Sequence, residues 1–299
     1  MNECPRHSGE VALLVLASKA PKVLECLAQC FSENSFRILV HLDSKVPWEN
    51  YSRGRQWAEN LKFIERRFEI FWGGFNMIRA TEALAREALQ GSKTEVFILL
   101  SDDSLPVFSA PTVGRLLREQ PNRIDVGISR KNPPFMRRYT EFFFLDSPAT
   151  SARPIEAHDR CFEEASIDAV RRLAALRRRG KFPFSEVWGG SQWWSLGRKE
   201  LEAILKELSE NLWARESFEF SAIPDESAFQ TLYANQVGLS GRSFTGPMFT
   251  DTTRTPSPFV FESMGKIPCI PAGKLFIRKI HEDFADSWVR QLQTGISDA

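Results

Sequence analysis

Seven consecutive apolar residues, Val11-Ala-Leu-Leu-Val-Leu-Ala17, constrain this chain more than any other stretch. The run shows no polar–apolar alternation, so a strand built from it must be covered on both faces, as central parallel strands are. It is too short to span a bilayer or to act as the core of a signal peptide. A helical pattern follows from about Pro21 to Phe31. Phe36-Arg-Ile-Leu-Val-His-Leu-Asp43 is then a second buried strand ending in polar residues. Strand, helix and strand within about thirty residues make a βαβ unit, which binds ligands at the carboxyl ends of its strands. Glu95–Leu100 is a third apolar strand and ends in the acidic turn Ser101-Asp-Asp-Ser-Leu-Pro106. His41, Asp43 and Lys45 occupy the corresponding tip of the second strand. No Gly-x-Gly-x-x-Gly follows Ala17, so the dinucleotide fingerprint is absent.

The remaining elements read in order. Phe68–Trp72 is a short strand closed by Gly73-Gly74, and Asn76 caps a helix running to about Leu89. Pro111–Glu119 is a helix and Ile124–Ser129 a further strand. Residues 130–160 read as an irregular loop over the site. Ala165–Gly180 is a basic helix, Gly197–Leu208 another helix, and Glu282–Leu292 the last. In Ser221–Asn235, Pro224 suits a first helical turn, and Asp225 and Glu226 suit the positive end of the helix dipole. Phe229, Leu232 and Tyr233 continue at helical spacing. At 100° per residue Asp225 falls toward their apolar side, as a buried, hydrogen-bonded carboxylate ordering the helix start. Glu226 falls at the rim. No repeat or linker divides the chain, so we expect one domain over residues 1–299. Within it, residues 10–130 or so carry the apolar strands, and 131–299 are the more aromatic and acidic half.

Composition removes several function classes. A formal net charge of +1 argues against a nucleic-acid binder that relies on phosphate contacts. The five cysteines are odd in number and include no Cys-x-x-Cys. The four histidines are far apart, so no structural metal site is expected and a reduced cytosolic compartment fits. Apolar strands alternating with helices, with polar tips, suggest a nucleotide-binding α/β domain. The aromatic and acidic second half suits a sugar. Moving a sugar from a nucleotide requires a base for the acceptor hydroxyl and positive charge for the departing diphosphate. Asp-x-Asp, a common metal-holding motif for that task, occurs nowhere in the chain, and the adjacent Arg278 and Lys279 offer a metal-free substitute.

Six segments in order carry a family resemblance: Val40-His-Leu-Asp43, Phe71-Trp-Gly-Gly74, Phe97-Ile-Leu-Leu-Ser101 through Leu105-Pro106, Gly190-Ser-Gln-Trp-Trp194, Pro224-Asp-Glu226 and Leu275-Phe-Ile-Arg-Lys279. In these the chain resembles the core-2/I-branching β-1,6-N-acetylglucosaminyltransferase family, which also contains peptide O-xylosyltransferases and plant and bacterial relatives. The resemblance implies a GT-A-type α/β fold, a Rossmann-like nucleotide-binding sheet flanked by helices. It implies an inverting, metal-independent transfer from a UDP-sugar, GlcNAc by family precedent, to a glycan hydroxyl. By position Glu226 is then the general base, and Lys279 with Arg278 neutralises the diphosphate. His41, Asp43, Ser101, Asp102 and Asp103 lie near the nucleotide, and Arg254 is a candidate for a further basic contact. Gln192, Trp193, Trp194 and Asp225 lie on the acceptor side. The turn Ser101-Asp-Asp-Ser104 departs from the family's usual Ser-Gly-x-Asp, and Ile280 replaces its usual Phe. No cofactor and no metal is expected. A catalytically silent sugar-binding module is the alternative, motivated by that altered turn. A sugar-nucleotide pyrophosphorylase is disfavoured because Ala17-Ser-Lys-Ala-Pro21 supplies no glycine-rich phosphate loop. We expect a cytoplasmic enzyme acting on a surface glycan, with a lipid-linked acceptor in view. The basic segment Arg171–Lys181 is its candidate peripheral contact with the inner membrane face.

Overall fold

The computed structural model of the chain describes residues 9–33, 35–129, 133–147, 164–237 and 245–294. The apolar run is β1 (Glu10–Ala17), with all of Val11–Ala17 buried, at the centre of a five-stranded sheet. Helix α1 (Pro21–Cys30) starts on the proline and buries Val23, Leu24, Cys26, Leu27 and Ala28. β2 (Phe36–Leu42) and, after the short α2 (Glu49–Ser52), β3 (Leu61–Phe63) extend the sheet on one side. Helix α3 (Asn76–Leu89) packs on β1, β2 and β4 (Thr94–Ser101). The sheet order is β3-β2-β1-β4-β8, parallel except for β8 (Ser195–Gly197). Leu16 is in register with both His41 and Ser101, so the segments leaving β1, β2 and β4 emerge together at one sheet edge.

Two smaller sheets close over that edge. β5 (Leu105–Pro106) precedes α4 (Ala110–Glu119). It pairs antiparallel with β10 (Phe276–Arg278), which pairs in turn with β9 (Met248–Thr250). β6 (Ile128–Ser129) pairs with β7 (Trp188–Gly189). Between them lie α5 (Pro133–Thr140) and α6 (Glu164–Arg178). Helices α7 (Arg198–Glu210), α8 (Leu212–Glu219) and α9 (Ala228–Val237) follow, and α10 (Glu282–Gln293) packs on α1. Buried apolar side chains form one cluster from Val11 to Val289, with a small satellite of Ala169, Leu173 and Phe220. Among the described residues no helix is long and apolar enough to cross a membrane.

Five expectations need correction. Phe68–Trp72 is not a strand: the Phe68 and Ile70 N–H groups bond the His41 Nε2 and Asp43 Oδ1 side-chain atoms, at 2.9 and 3.4 Å, and the edge strand is β3 instead. Asn76 does not cap α3. Its own N–H is held by both Asp146 oxygens, at 3.0 and 2.9 Å. The Ile124–Ser129 strand shrinks to β6, preceded by a single bridge between Arg123 and Ser195. The 130–160 loop contains α5, and residues 130–132 and 148–160 fall outside the described residues. Finally, the Ser221–Asn235 helix is split. Pro224–Glu226 is one 3-10 turn, closed by Ser227 N–H to Pro224 O at 3.0 Å, and α9 begins only at Ala228. Ile223 before it has φ 55° and ψ 54°. That left-handed backbone cannot continue into an α-helix and is strained for a β-branched residue.

Candidate functional site

The converging strand ends open into a cleft of about 1020 Å³. Its floor is set by Asp102. One carboxylate oxygen accepts hydrogen bonds from the N–H groups of Ser18, Lys19 and Ala20, each at 2.9 Å, and from the Tyr51 hydroxyl. Asp102 is thereby a buried anchor for the turn after β1, in place of the glycines a phosphate loop would use. Burial and then the Asp102 charge push the Tyr51 hydroxyl pKa well up, so it stays a proton donor.

Beside that anchor lies a cluster of cations. Asp103 accepts from the Ser101 hydroxyl and pairs with Arg278 Nε at 3.2 Å and Lys19 Nζ at 3.4 Å. Burial by itself would raise the Asp103 pKa. Arg278, the Ser101 hydroxyl and Lys19 outweigh it and hold the carboxyl below its ordinary range. Arg278 also donates to Ser101 Oγ at 3.0 Å and lies 4.7 Å over the Trp193 ring, which fixes its plane. Lys279 has its pKa lowered, first by burial and then by repulsion from Lys19 and Arg278. Three cations thus share one carboxylate at the cleft wall, an excess of positive charge suited to a polyanion.

The β2 side is aromatic. His41 is 1% exposed, accepts from the Phe68 N–H through Nε2, and stacks on the Phe68 ring. Burial lowers its pKa to about 4 against the opposing pull of Asp43, so it is a neutral acceptor at neutral pH. Asp43 accepts from the Lys45 N–H and ammonium and from the Ile70 N–H. Both side chains line the cleft and hold segment 68–72, whose Trp72 indole is 75% exposed and also lines it. The turn beneath is tight. Gly73 has φ +77°, and a Cβ on Gly74 would lie 2.1 Å from an Asp146 carboxylate oxygen.

The far side brings two chain segments together. Gly190 N–H donates to Glu226 O at 2.9 Å, and the Gln230 amide spans Ser191 O at 2.7 Å and Asp225 O at 3.5 Å. A Cβ on Gly190 would lie 2.0 Å from the Asp125 carbonyl oxygen, so only glycine permits this approach. Gln192 and Trp193 line the cleft, the former with a buried Nε2 that has no partner among the described residues. Glu226 lies at the rim as expected, its side chain 44% exposed, and accepts from Arg138 Nη1 at 2.8 Å. Asp225 does not order the start of a helix. It sits on the 3-10 turn with Oδ1 buried and unpartnered, and burial followed by the Glu226 charge raises its pKa to about 7.

Of the residues expected from sequence, His41, Asp43, Ser101, Asp102, Asp103, Gln192, Trp193, Asp225, Glu226, Arg278 and Lys279 do share the cleft lining. Trp194 and Arg254 do not. Trp194 is 1% exposed and stacks on Phe229 at 4.8 Å, and Arg254 pairs with Asp251 while lying 3.8 Å over the Phe259 ring. Sequence reasoning missed Lys19, Trp72, Asp125 and Lys274 in the lining, and Arg138 behind Glu226. Lys19 was findable, because it lies two residues past the end of the first strand. Arg138 carried no such signal. Among the described residues no group of three or more His, Cys, Asp or Glu side chains is placed to hold a metal ion.

Comparison with known proteins matches residues 11–254 to the model of the family described as Core-2/I-Branching enzyme. No curated protein matches the chain.

Proposed function

We propose that this chain, which belongs to the Core-2/I-Branching enzyme family and so is a glycosyltransferase, moves a sugar from a UDP-sugar to a glycan hydroxyl with inversion and without a metal ion. The observation carrying this is one cleft that holds both Glu226 and the three cations Lys19, Arg278 and Lys279. The Glu226 carboxylate takes the acceptor proton as that oxygen bonds to the anomeric carbon. The bond from that carbon to the diphosphate breaks, and its electron pair leaves with the diphosphate. The cation cluster stabilises the charge that develops there. Asp43 and the exposed indole of Trp72 receive the nucleotide base at the β2 side, an indole face being a stacking surface for a planar ring. His41 acts through segment 68–72, since its Nε2 is already bonded to Phe68 N–H.

Glu226→Gln should bind UDP as the wild type does in calorimetry and lose transfer by at least about a hundredfold. Turnover at the wild-type rate would sink that base. Transfer should continue in EDTA at an unchanged rate, whereas a strict requirement for a divalent cation would overturn the diphosphate role of the cluster. UDP-sugar binding with no transfer to any acceptor would favour the silent module instead. The cytoplasmic setting and the lipid-linked acceptor belong to the same proposal. Their support is the exposed basic end of α6, since Arg178, Arg179 and Lys181 are in no ion pair among the described residues.

A further inference from the structure

Two cleft-lining side chains, Gln192 and Asp225, hold a buried polar atom with no partner among the described residues, and Asp225 is the ionisable one. Asp225 lines the cleft directly beside Glu226, yet its Oδ1 is enclosed without a hydrogen-bond partner among the described residues. Buried polar atoms are almost always satisfied, and one that is not calls for a ligand or a function. The backbone carrying it is held on every side. Ile223 N–H donates to Gly73 O at 3.0 Å, Gly190 N–H to Glu226 O at 2.9 Å, and the Gln230 amide to Asp225 O at 3.5 Å. The strained left-handed Ile223 shows that these contacts dictate the turn rather than follow it.

Two charged groups act on Asp225. Glu226 is on the same turn, and Arg138 reaches it from α5 but is bonded to Glu226 at 2.8 Å. Burial and the Glu226 charge raise the Asp225 pKa to about 7, opposed first by its own backbone N–H and then by Arg138. Around neutral pH the carboxyl therefore carries its proton much of the time. A protonated carboxyl donates a hydrogen bond, which an ionised one cannot do. We propose that Asp225 is a substrate-contacting donor, presenting its carboxyl O–H to the lone pair of a sugar oxygen bound next to Glu226. The two adjacent carboxyls then divide the work. Glu226, held by Arg138 at 2.8 Å, accepts a proton, and Asp225 offers one without transferring it. The ligand class is a sugar hydroxyl or ring oxygen that accepts a hydrogen bond, and the inference rests on the glycosyltransferase reading of the cleft.

The test compares Asp225→Asn with Asp225→Ala across pH 5 to 9, using the donor and acceptor that serve the wild type. An amide keeps a donor of nearly the same shape at every pH. Asp225→Asn should therefore stay within several-fold of wild type at neutral pH and lack the alkaline fall in kcat/KM expected of the wild type near pH 7. Asp225→Ala should fall about 10- to 100-fold below pH 7, as expected when a polar group of a sugar loses its partner, and approach the wild type at alkaline pH, where the wild-type carboxyl has lost its proton. Both should bind UDP normally, which shows that they are folded. Difference infrared spectroscopy supplies a readout independent of turnover. A carboxylic-acid carbonyl band should titrate near neutral pH and vanish in Asp225→Asn. Absence of that band, an Asn variant as poor as the Ala variant, or an alkaline limb that survives in Asp225→Asn each overturns the inference while leaving the transferase standing. A wild type that transfers no sugar removes both.

Discussion

Asp102 and Asp103 are neighbours in sequence with opposite roles. Asp102 spends its carboxylate on three backbone N–H groups and a tyrosine hydroxyl, and Asp103 faces the cations. Asp102→Ala should therefore cost stability, about 2–3 kcal/mol in urea unfolding, because charge-assisted bonds are lost and buried donors are left unpaired. His41 gives a pH signature. Its folded pKa of about 4 lies below the ordinary 6.5, so the unfolded chain binds the proton first. Its contribution is fully present above pH 6.5 and is lost as pH falls toward 4. Wild type should lose on the order of 1–3 kcal/mol across that window, and His41→Asn should lack this slope. Equal slopes in the two proteins would refute it. At this scale the sequence located His41, Asp43, Glu226 and Arg278 through strand-tip logic and motif order. It could not reveal that His41 serves the backbone of a distant segment, because only the fold brings Phe68 to it.

At the scale of elements, legibility followed burial. β1, β2 and β4 were readable because strands covered on both faces are continuously apolar. Strands of two or three residues, such as β6, β7 and β10, carry no periodicity, and their pairing is decided by the core beneath them. The helix expected from Pro224 failed for a local reason, the left-handed Ile223 and the 3-10 closure. That break turns Asp225 and Glu226 toward the cleft instead of spacing them around a helix. The close approach of Gly190 to Asp125 O makes a prediction. Gly190→Ala forces a backbone shift and should cost about 1–3 kcal/mol, the range for overpacking, together with most of the transfer activity. Gly265→Ala, where an added methyl meets nothing within 4 Å, should change thermal stability by no more than about 0.5 kcal/mol. Equal thermal midpoints for the two variants would show that the approach is not tight.

Over the whole molecule a net charge of +1 leaves no long-range attraction to an anionic surface, so any such attraction must come from a local patch. The structure thins the basic segment that the sequence suggested. Arg171 pairs with Asp168, Arg172 with Glu216, and Arg177 stacks on Tyr139 and Phe142 while donating to Thr140 O. Arg178, Arg179 and Lys181 remain exposed, next to Phe182 at 39% exposure. Their position matters, because the Arg177 bond ties α6 to the end of α5, whose Arg138 holds Glu226. A surface bound there would bring a membrane-tethered acceptor to the side of the cleft where the base lies. Each basic residue near an anionic bilayer contributes about 1 kcal/mol, so replacing all three with alanine should weaken vesicle binding roughly a hundredfold. Wild type should co-sediment with phosphatidylglycerol-containing vesicles, release at high salt, and ignore pure phosphatidylcholine. The triple variant should keep its thermal midpoint and its activity on a short soluble acceptor, since exposed surface substitutions barely change stability. Wild type that ignores anionic vesicles at low salt would remove the membrane from the proposal and return the patch to a solvated helix end.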